Sequence, residues 1–82
     1  MSIREEVKAF ILQNFLFSSD TSALGDSDSL LEKGIVDSTG ILELVTHIEE
    51  KYGIRVLDEE MLPSNLDSVA AIAAFVAGKR AA

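Results

Sequence analysis

From Asp37 to Gly53 the chain carries one uninterrupted helical signal, and the rest of the fold must be built around it. On a wheel advancing ~100° per residue, Ile41, Leu44, Val45, Ile48 and Tyr52 fall within one arc of about 100°. Asp37 suits the N-cap, because its carboxylate can accept a first-turn backbone N–H. Gly53 suits the C-terminal stop. The spacing predicts a helix over Ser38 to about Tyr52 whose apolar face must be covered by other parts of the same chain. In 82 residues there is room for one core, so residues 1–82 are expected to form a single domain. A chain that is 48% hydrophobic and 26% charged is too apolar to be a disordered acidic tail.

Three further segments can supply the cover. Ser2 to about Phe17 reads as an amphipathic helix: Ile3, Val7, Phe10, Ile11 and Phe15 recur at helical spacing. Ser2 and Glu5 have the spacing of a capping box. Asp58 to Leu62 is expected to be a short element ended by Pro63. A last helix is expected from Asp67 or Ser68 to about Lys79, burying Val69, Ile72, Ala73 and Val76, with Lys79 and Arg80 at the C-terminal end that favours cations. Between the first two helices, Ser18 to Asp37 is rich in Ser, Asp, Thr and Gly and reads as a loop. Twenty structureless residues are unusual in a compact domain. Leu24, Leu30, Leu31, Ile35 and Val36 are therefore expected to pin the loop onto the core, with a helical turn around Leu30 to Lys33 stopped by Gly34. Ile54, Arg55 and Val56 alternate, but three residues make weak strand evidence. The fold class is all-α: a small bundle of three main helices and one short one.

Charge and composition exclude several functions. Seven basic against fourteen acidic residues give a net charge of −7. A free-standing nucleic-acid binder needs the opposite sign, and the anionic surface suits basic partners. With no cysteine and one histidine, disulfide scaffolds, thiolate metal sites and cysteine nucleophiles are excluded. The longest weakly polar stretch, Val69 to Gly78, is roughly half of a membrane span. Met1 to Glu6 carries Arg4, Glu5 and Glu6, unlike a signal peptide. A cytoplasmic protein, acting as a monomer, is the expectation.

The outer side of the second helix holds Thr39, Leu42, Glu43, Thr46, Glu49 and Glu50. It is acidic and contains one leucine. That combination suits docking to a basic partner with a small apolar pocket; a solvated face with one stray leucine gives the same wheel. Asp-Ser occurs four times, at Asp26-Ser27, Asp28-Ser29, Asp37-Ser38 and Asp67-Ser68. Only Asp37-Ser38 has a hydrophobic lead-in, Gly34-Ile35-Val36, and an acidic amphipathic helix after it.

The string from Gly34 to Val45, GIVDSTGILELV, resembles the attachment motif of the acyl carrier protein family. Glu49-Glu50-Lys51-Tyr52-Gly53-Ile54 resembles the family's segment closing the second helix. Asp58-Glu59-Glu60 resembles the start of its short third helix, and Val69, Ile72 and Val76 fit its last one. The resemblance spans essentially the whole chain and implies the four-helix acyl-carrier fold.

The resemblance implies that Ser38, flanked by Asp37 and Thr39, bears a covalent 4′-phosphopantetheine arm. The arm is donated by coenzyme A through a phosphopantetheinyl transferase. The chain is then a carrier and not an enzyme. Its arm is charged with an acyl or aminoacyl thioester by a ligase, and it presents the cargo to a downstream transferase or synthase with a basic docking patch. Tethering raises the effective concentration of the cargo, and a serine at a helix N-terminus places the phosphodiester near the positive end of the dipole. Leu42, Glu43, Thr46, Glu49 and Glu50 become the partner-contact positions.

Fatty-acid carriers usually show Asp-Ser-Leu-Asp, whereas Thr39 and Gly40 stand here. Asp-Ser-x-Gly resembles free-standing carriers of activated amino acids, including D-alanyl carrier proteins. Gly40 would also allow close approach by a partner. Two alternatives stay open: a fatty-acyl or polyketide carrier, and an acidic helical adaptor that is never modified.

Other candidates are set aside. EF-hand registers beginning at Asp20 or Asp26 place leucines where ligands or glycine belong, so no metal site is expected. His47 is expected on the solvent side, away from Ser38. No nucleophile is paired with a base. Phe10, Phe15 and Phe75 are expected as core residues, with Phe75 a candidate for lining a cavity beneath the arm.

Overall fold

A computed structural model describes residues 2–17 and 24–81. It contains helix α1 (Ile3–Ile11), a π-helical turn (Leu12–Leu16), α2 (Ser38–Tyr52), a 3₁₀ turn (Asp58–Glu60), a one-turn helix α3 (Pro63–Leu66) and α4 (Val69–Ala81). The all-helical class holds, and no strand occurs among the described residues, Ile54 to Val56 included.

Each long helix begins where a side chain meets a free backbone donor. Ser2 Oγ accepts the Glu5 N–H at 3.2 Å and donates to the Glu5 carboxylate at 3.1 Å. The hydroxyl therefore occupies the carboxylate that a full capping box would give to the Ser2 N–H. Ser68 opens α4, its Oγ accepting the Ala71 N–H at 3.1 Å. The first helix widens at Leu12 into the π turn and stops at Phe17, which adopts the left-handed conformation with φ 51°. Pro63 corrects an expectation: it does not end the Asp58 element but occupies the first position of α3, where a missing N–H costs nothing.

The core joins Val7, Ile11 and Leu12 to Leu44, Val45 and Ile48 of α2 and Val69, Ile72 and Val76 of α4. Leu24, Leu30 and Val36 reach it from the loop, and Val56 and Leu66 from the last connections. Ala73 is half-buried. The closest-packed pair of long helices is α1 and α4. Among the described residues no polar side chain is buried, and no helix is long and apolar enough to cross a membrane.

The loop before α2 is held by main-chain and carboxylate bonds, which is how so long a connection can be ordered. The Leu30 N–H donates to the Asp67 carbonyl at 2.8 Å, and the Leu31 N–H to the Asp67 carboxylate at 2.9 Å. The Ala70 N–H returns a bond to the Asp26 carbonyl at 2.9 Å. Asp26 also pairs with Arg4 at 3.1 Å and Lys8 at 3.3 Å, tying the loop to α1. The expected turn at Leu30 to Lys33 is present. Gly34 and Ile35 donate to the carbonyls of Leu31 and Leu30, with Gly34 at φ 68°, the two-bond pattern that closes a helical turn with a left-handed glycine. Within the turn Leu30 is buried, and Leu31, ~100° further round, is 41% exposed, against the expectation that it helps pin the loop. The part of the loop from 18 to 23, with the Asp20 register, lies outside the described residues.

Candidate functional site

Ser38 is the first residue of α2 and is exposed. Its position follows from Asp37, whose extended backbone breaks the helical path while its carboxylate accepts the Gly40 N–H at 2.7 Å. Gly34, Ile35 and the buried Val36 deliver the chain to this cap. The N–H groups of Ser38 and Thr39 belong to the first turn and take no part in the helix's own ladder. Ser38 is thus an accessible hydroxyl beside free backbone donors at the positive end of a fifteen-residue helix, a setting suited to an esterified phosphate.

The chain's one histidine is remote from it. His47 lies nine positions further along α2, ~13 Å away at 1.5 Å per residue. It also corrects the expectation of a surface histidine: it is half-buried, its ring stacked on Phe10 with centroids 3.7 Å apart. Desolvation there holds its pKa below the ordinary value, Lys51 adding to the effect and Glu50 opposing it.

The outer face of α2 divides. Thr39, Leu42, Glu43, Thr46 and Glu50 are exposed, Leu42 at 56%. The Thr46 hydroxyl donates to the Leu42 carbonyl at 3.0 Å. Glu49 is half-buried, and its carboxylate accepts the Val56 N–H at 2.8 Å. It folds the chain after Gly53 back along the helix as well as lending charge to the face.

Gly40 stands differently from what the sequence led us to expect. It is buried, and a Cβ placed on it would lie 2.9 Å from Phe15 Cε1 and 3.0 Å from Val36 Cγ1. The close approach that the missing side chain permits is made from within, by the π turn. Phe10, Phe15 and Phe75 are half-buried residues packed against the core, not members of it. Phe75 lies under the Lys79 ammonium, 5.9 Å from its ring centroid.

Two exposed apolar residues outside α2 escaped the wheel. Leu57 and Leu62 are 45% and 50% exposed on either side of the Asp58 turn. The pair Val56-Leu57 carried the signal, since extended backbone sends neighbouring side chains to opposite faces; Leu62 is the extended residue that caps α3.

The opposite end of α2 is basic. An open groove of about 420 Å³ is lined by Tyr52, Gly53, Ile54, Arg55, Lys79 and Arg80. Lys79 is paired with Glu60 at 2.7 Å, and the Arg80 guanidinium lies 5.7 Å from the Tyr52 ring centroid. The groove holds none of the expected site residues. At 1.5 Å per residue along α2 it is ~20 Å from Ser38.

No family model matches the chain. Among curated proteins it is similar to the D-alanyl carrier protein of Streptococcus sanguinis (strain SK36), with 39% identity over 56 residues, 68% of this chain and 67% of that one. It is also similar to the D-alanyl carrier protein of Streptococcus gordonii (strain Challis), with 38% identity over 53 residues, 62% of this chain and 66% of that one. The matched region is therefore about two thirds of the length of these relatives.

Proposed function

The chain belongs to the carrier-protein family that includes the D-alanyl carrier proteins, and from that premise we propose that Ser38 bears a 4′-phosphopantetheine arm on which an aminoacyl group is carried. The observation that carries this reading is an exposed serine at the first position of α2, following a cap that leaves its own carboxylate bonded to Gly40. The residues present fit the group: the hydroxyl is reachable, and the first-turn N–H groups of Ser38 and Thr39 can face a phosphodiester. The arm supplies a terminal thiol that holds the cargo as a thioester.

The chain's own part in acquiring the arm is small. Ser38 Oγ forms the new bond to phosphorus and gives up its proton, while adenosine 3′,5′-bisphosphate leaves from coenzyme A. With His47 remote and stacked on Phe10, the base belongs to the transferase. The exposed residues Thr39, Leu42, Glu43, Thr46 and Glu50 then meet the transferase, an aminoacyl ligase and the acceptor enzyme. Glu49 adds charge to the rim of that surface. A fatty-acyl or polyketide cargo is disfavoured by the similarity to D-alanyl carriers, and an unmodified adaptor would have no use for Ser38.

Intact mass after incubation with coenzyme A, magnesium and a broad-specificity phosphopantetheinyl transferase tests the reading. The expected result is a gain of one phosphopantetheine that Ser38→Ala abolishes. A folded wild type that gains nothing beside an active control carrier overturns it.

A further inference from the structure

We propose that the basic groove at the far end of α2 is a second docking site, which takes an acidic polypeptide segment of a partner protein. The site stands apart from the Ser38 face and does not depend on the arm. Among the described residues Arg4, Lys8, Lys33 and Lys79 each lie within ion-pair distance of a carboxylate, whereas Lys51, Arg55 and Arg80 do not. Arg55 and Arg80 line the groove, and Lys51 stands in the last turn of α2 beside it. Acidic residues outnumber basic ones two to one in this chain, yet the unpaired cations gather at one end. Helix C-termini attract cations, which accounts for Lys51 and Arg80. It does not account for Arg55, which is exposed and follows Gly53 outside any helix.

The local charges set the sign of the ligand. Glu60 offsets Lys79, and the Glu6 carboxylate accepts from the Tyr52 hydroxyl. The ends of α2 and α4 add about −0.5 charge each. Against these, Lys51, Arg55 and Arg80 leave a positive excess of about one charge in a molecule of net charge −7. The backbone then selects a polypeptide over a bare anion. Among the described residues the N–H groups of Ile54 and Arg55 find no backbone acceptor, and the carbonyls of Gly53, Ile54 and Arg55 accept no backbone bond. Inorganic phosphate would use the donors and leave the carbonyls unmet. A peptide segment brings partners for both, and its carboxylates fit the guanidinium forks. A lipid surface fits less well, because none of the large exposed apolar residues lines the groove and interfacial binding draws on buried apolar area. A second copy of the chain is repelled by its own net charge. A partner that supplies such a segment would hold the carrier ~20 Å from Ser38. The acidic face of α2 would stay free for the enzyme that reacts with the cargo, at a raised local concentration.

The test titrates a blocked hexaglutamate peptide into the isotope-labelled full chain. The salt is held at about 0.1 M, where charges more than about 10 Å apart are largely screened, so the net negative charge does not mask a local attraction. Hexaglutamine, inorganic phosphate and phosphatidylglycerol vesicles are run beside it. The amide resonances of Gly53, Ile54 and Arg55 are expected to shift with hexaglutamate and not with hexaglutamine, while those of Ser38 and Thr39 stay in place. Arg55→Gln with Arg80→Gln is expected to weaken the binding about tenfold. Arg55→Gln alone, at an exposed position, is expected to weaken it less, and gives the reading if the double variant does not fold. No shift at the groove overturns the proposal, as does unchanged affinity in the folded variants. Phosphate that shifts the same amides equally would make this a small-anion site, vesicle binding lost in Arg55→Gln would make the occupant a membrane, and self-association through these residues would make it a second copy. Each of these outcomes overturns the acidic segment and leaves the Ser38 reading untouched.

Discussion

The rings of Phe10 and His47 lie face to face, 12° from parallel. The stack favours a neutral imidazole, because burial depresses the His47 pKa in the fold. Unfolded, the ring takes a proton near pH 6.5. Between that value and the lower folded pKa the unfolded chain binds more protons, so stability falls as pH drops. Melting temperature is expected to decline from pH 7.5 to 5.5 in the wild type and to lose most of that slope in His47→Phe, which keeps a ring against Phe10. Equal slopes would show that the burial of His47 has no thermodynamic weight.

Asp67 holds the loop before α2 with its main chain and its side chain. Its carbonyl accepts from Leu30, and its carboxylate accepts from the Leu31 N–H and the Ser29 hydroxyl. Asp67→Ala is expected to cost about 2 kcal/mol, the scale of hydrogen bonds to a charged acceptor. That corresponds to a melting temperature lower by about 10 °C in a domain of this size. Asp58→Ala, at an exposed position, is expected to stay within about 0.5 kcal/mol of wild type. Thermal melts of the two variants side by side decide the matter.

Tyr52 ties α2 to α1 through its hydroxyl, which donates to Glu6 at 2.8 Å. Burial first, and then the bond to Glu6, push its pKa up to about 12. A raised pKa means that the folded state keeps a proton the unfolded chain releases near pH 10. The contribution is therefore intact below pH 10 and lost as pH climbs toward 12. The chain has one tyrosine and no tryptophan, so phenolate absorbance reports this group alone. The midpoint is expected well above 10 and lower in Glu6→Gln; a midpoint near 10 in the wild type would refute the burial argument.

What the sequence revealed and what it hid follow one physical line. Periodicity places a residue around its own helix, and cap chemistry places the helix ends. The bounds of α2 were readable for that reason: Asp37 and Gly53 act locally. The core positions Leu44, Val45 and Ile48 were readable too. Nothing in the α2 pattern says which ring of α1 faces His47, or that Phe15 fills the space left by Gly40. Leu31 was misplaced because a single helical turn buries one side, and Leu30 takes it. Pro63 is compatible with stopping one element or starting the next, and the 3₁₀ turn ahead of it left it free to start α3. The place of Ser38 at the start of α2 was readable from the Asp37 cap beside it, whereas the structural duty of Glu49 depends on Val56, seven residues away.

Glu43 and Glu49 illustrate the same distinction in a measurable form. Glu43 is exposed, so Glu43→Lys is expected to leave the melting temperature nearly unchanged and to weaken partner binding on the order of tenfold at low salt, with the difference shrinking as salt rises. Glu49→Lys removes the acceptor of the Val56 N–H and is expected to lower the melting temperature as well. Titration with the charging ligase, paired with thermal melts, separates the two. Unchanged affinity for Glu43→Lys at low salt would remove this residue from the docking surface.

Gly40→Ala tests the contact with Phe15 through stability alone. Elsewhere in a helix the change would stabilise by up to about 1 kcal/mol. Here the new methyl would stand 2.9 Å from the Phe15 ring and 3.0 Å from Val36. Overpacking of that kind costs ~1–3 kcal/mol, so a net loss of about 1 kcal/mol is expected. Phe15→Leu removes the ring and should make the same Gly40→Ala change neutral or stabilising. A double-mutant cycle in denaturant reads the coupling between the two positions without any arm or cargo. Gly40→Ala that stabilises the wild-type background would mean the ring does not rest on Gly40 in solution.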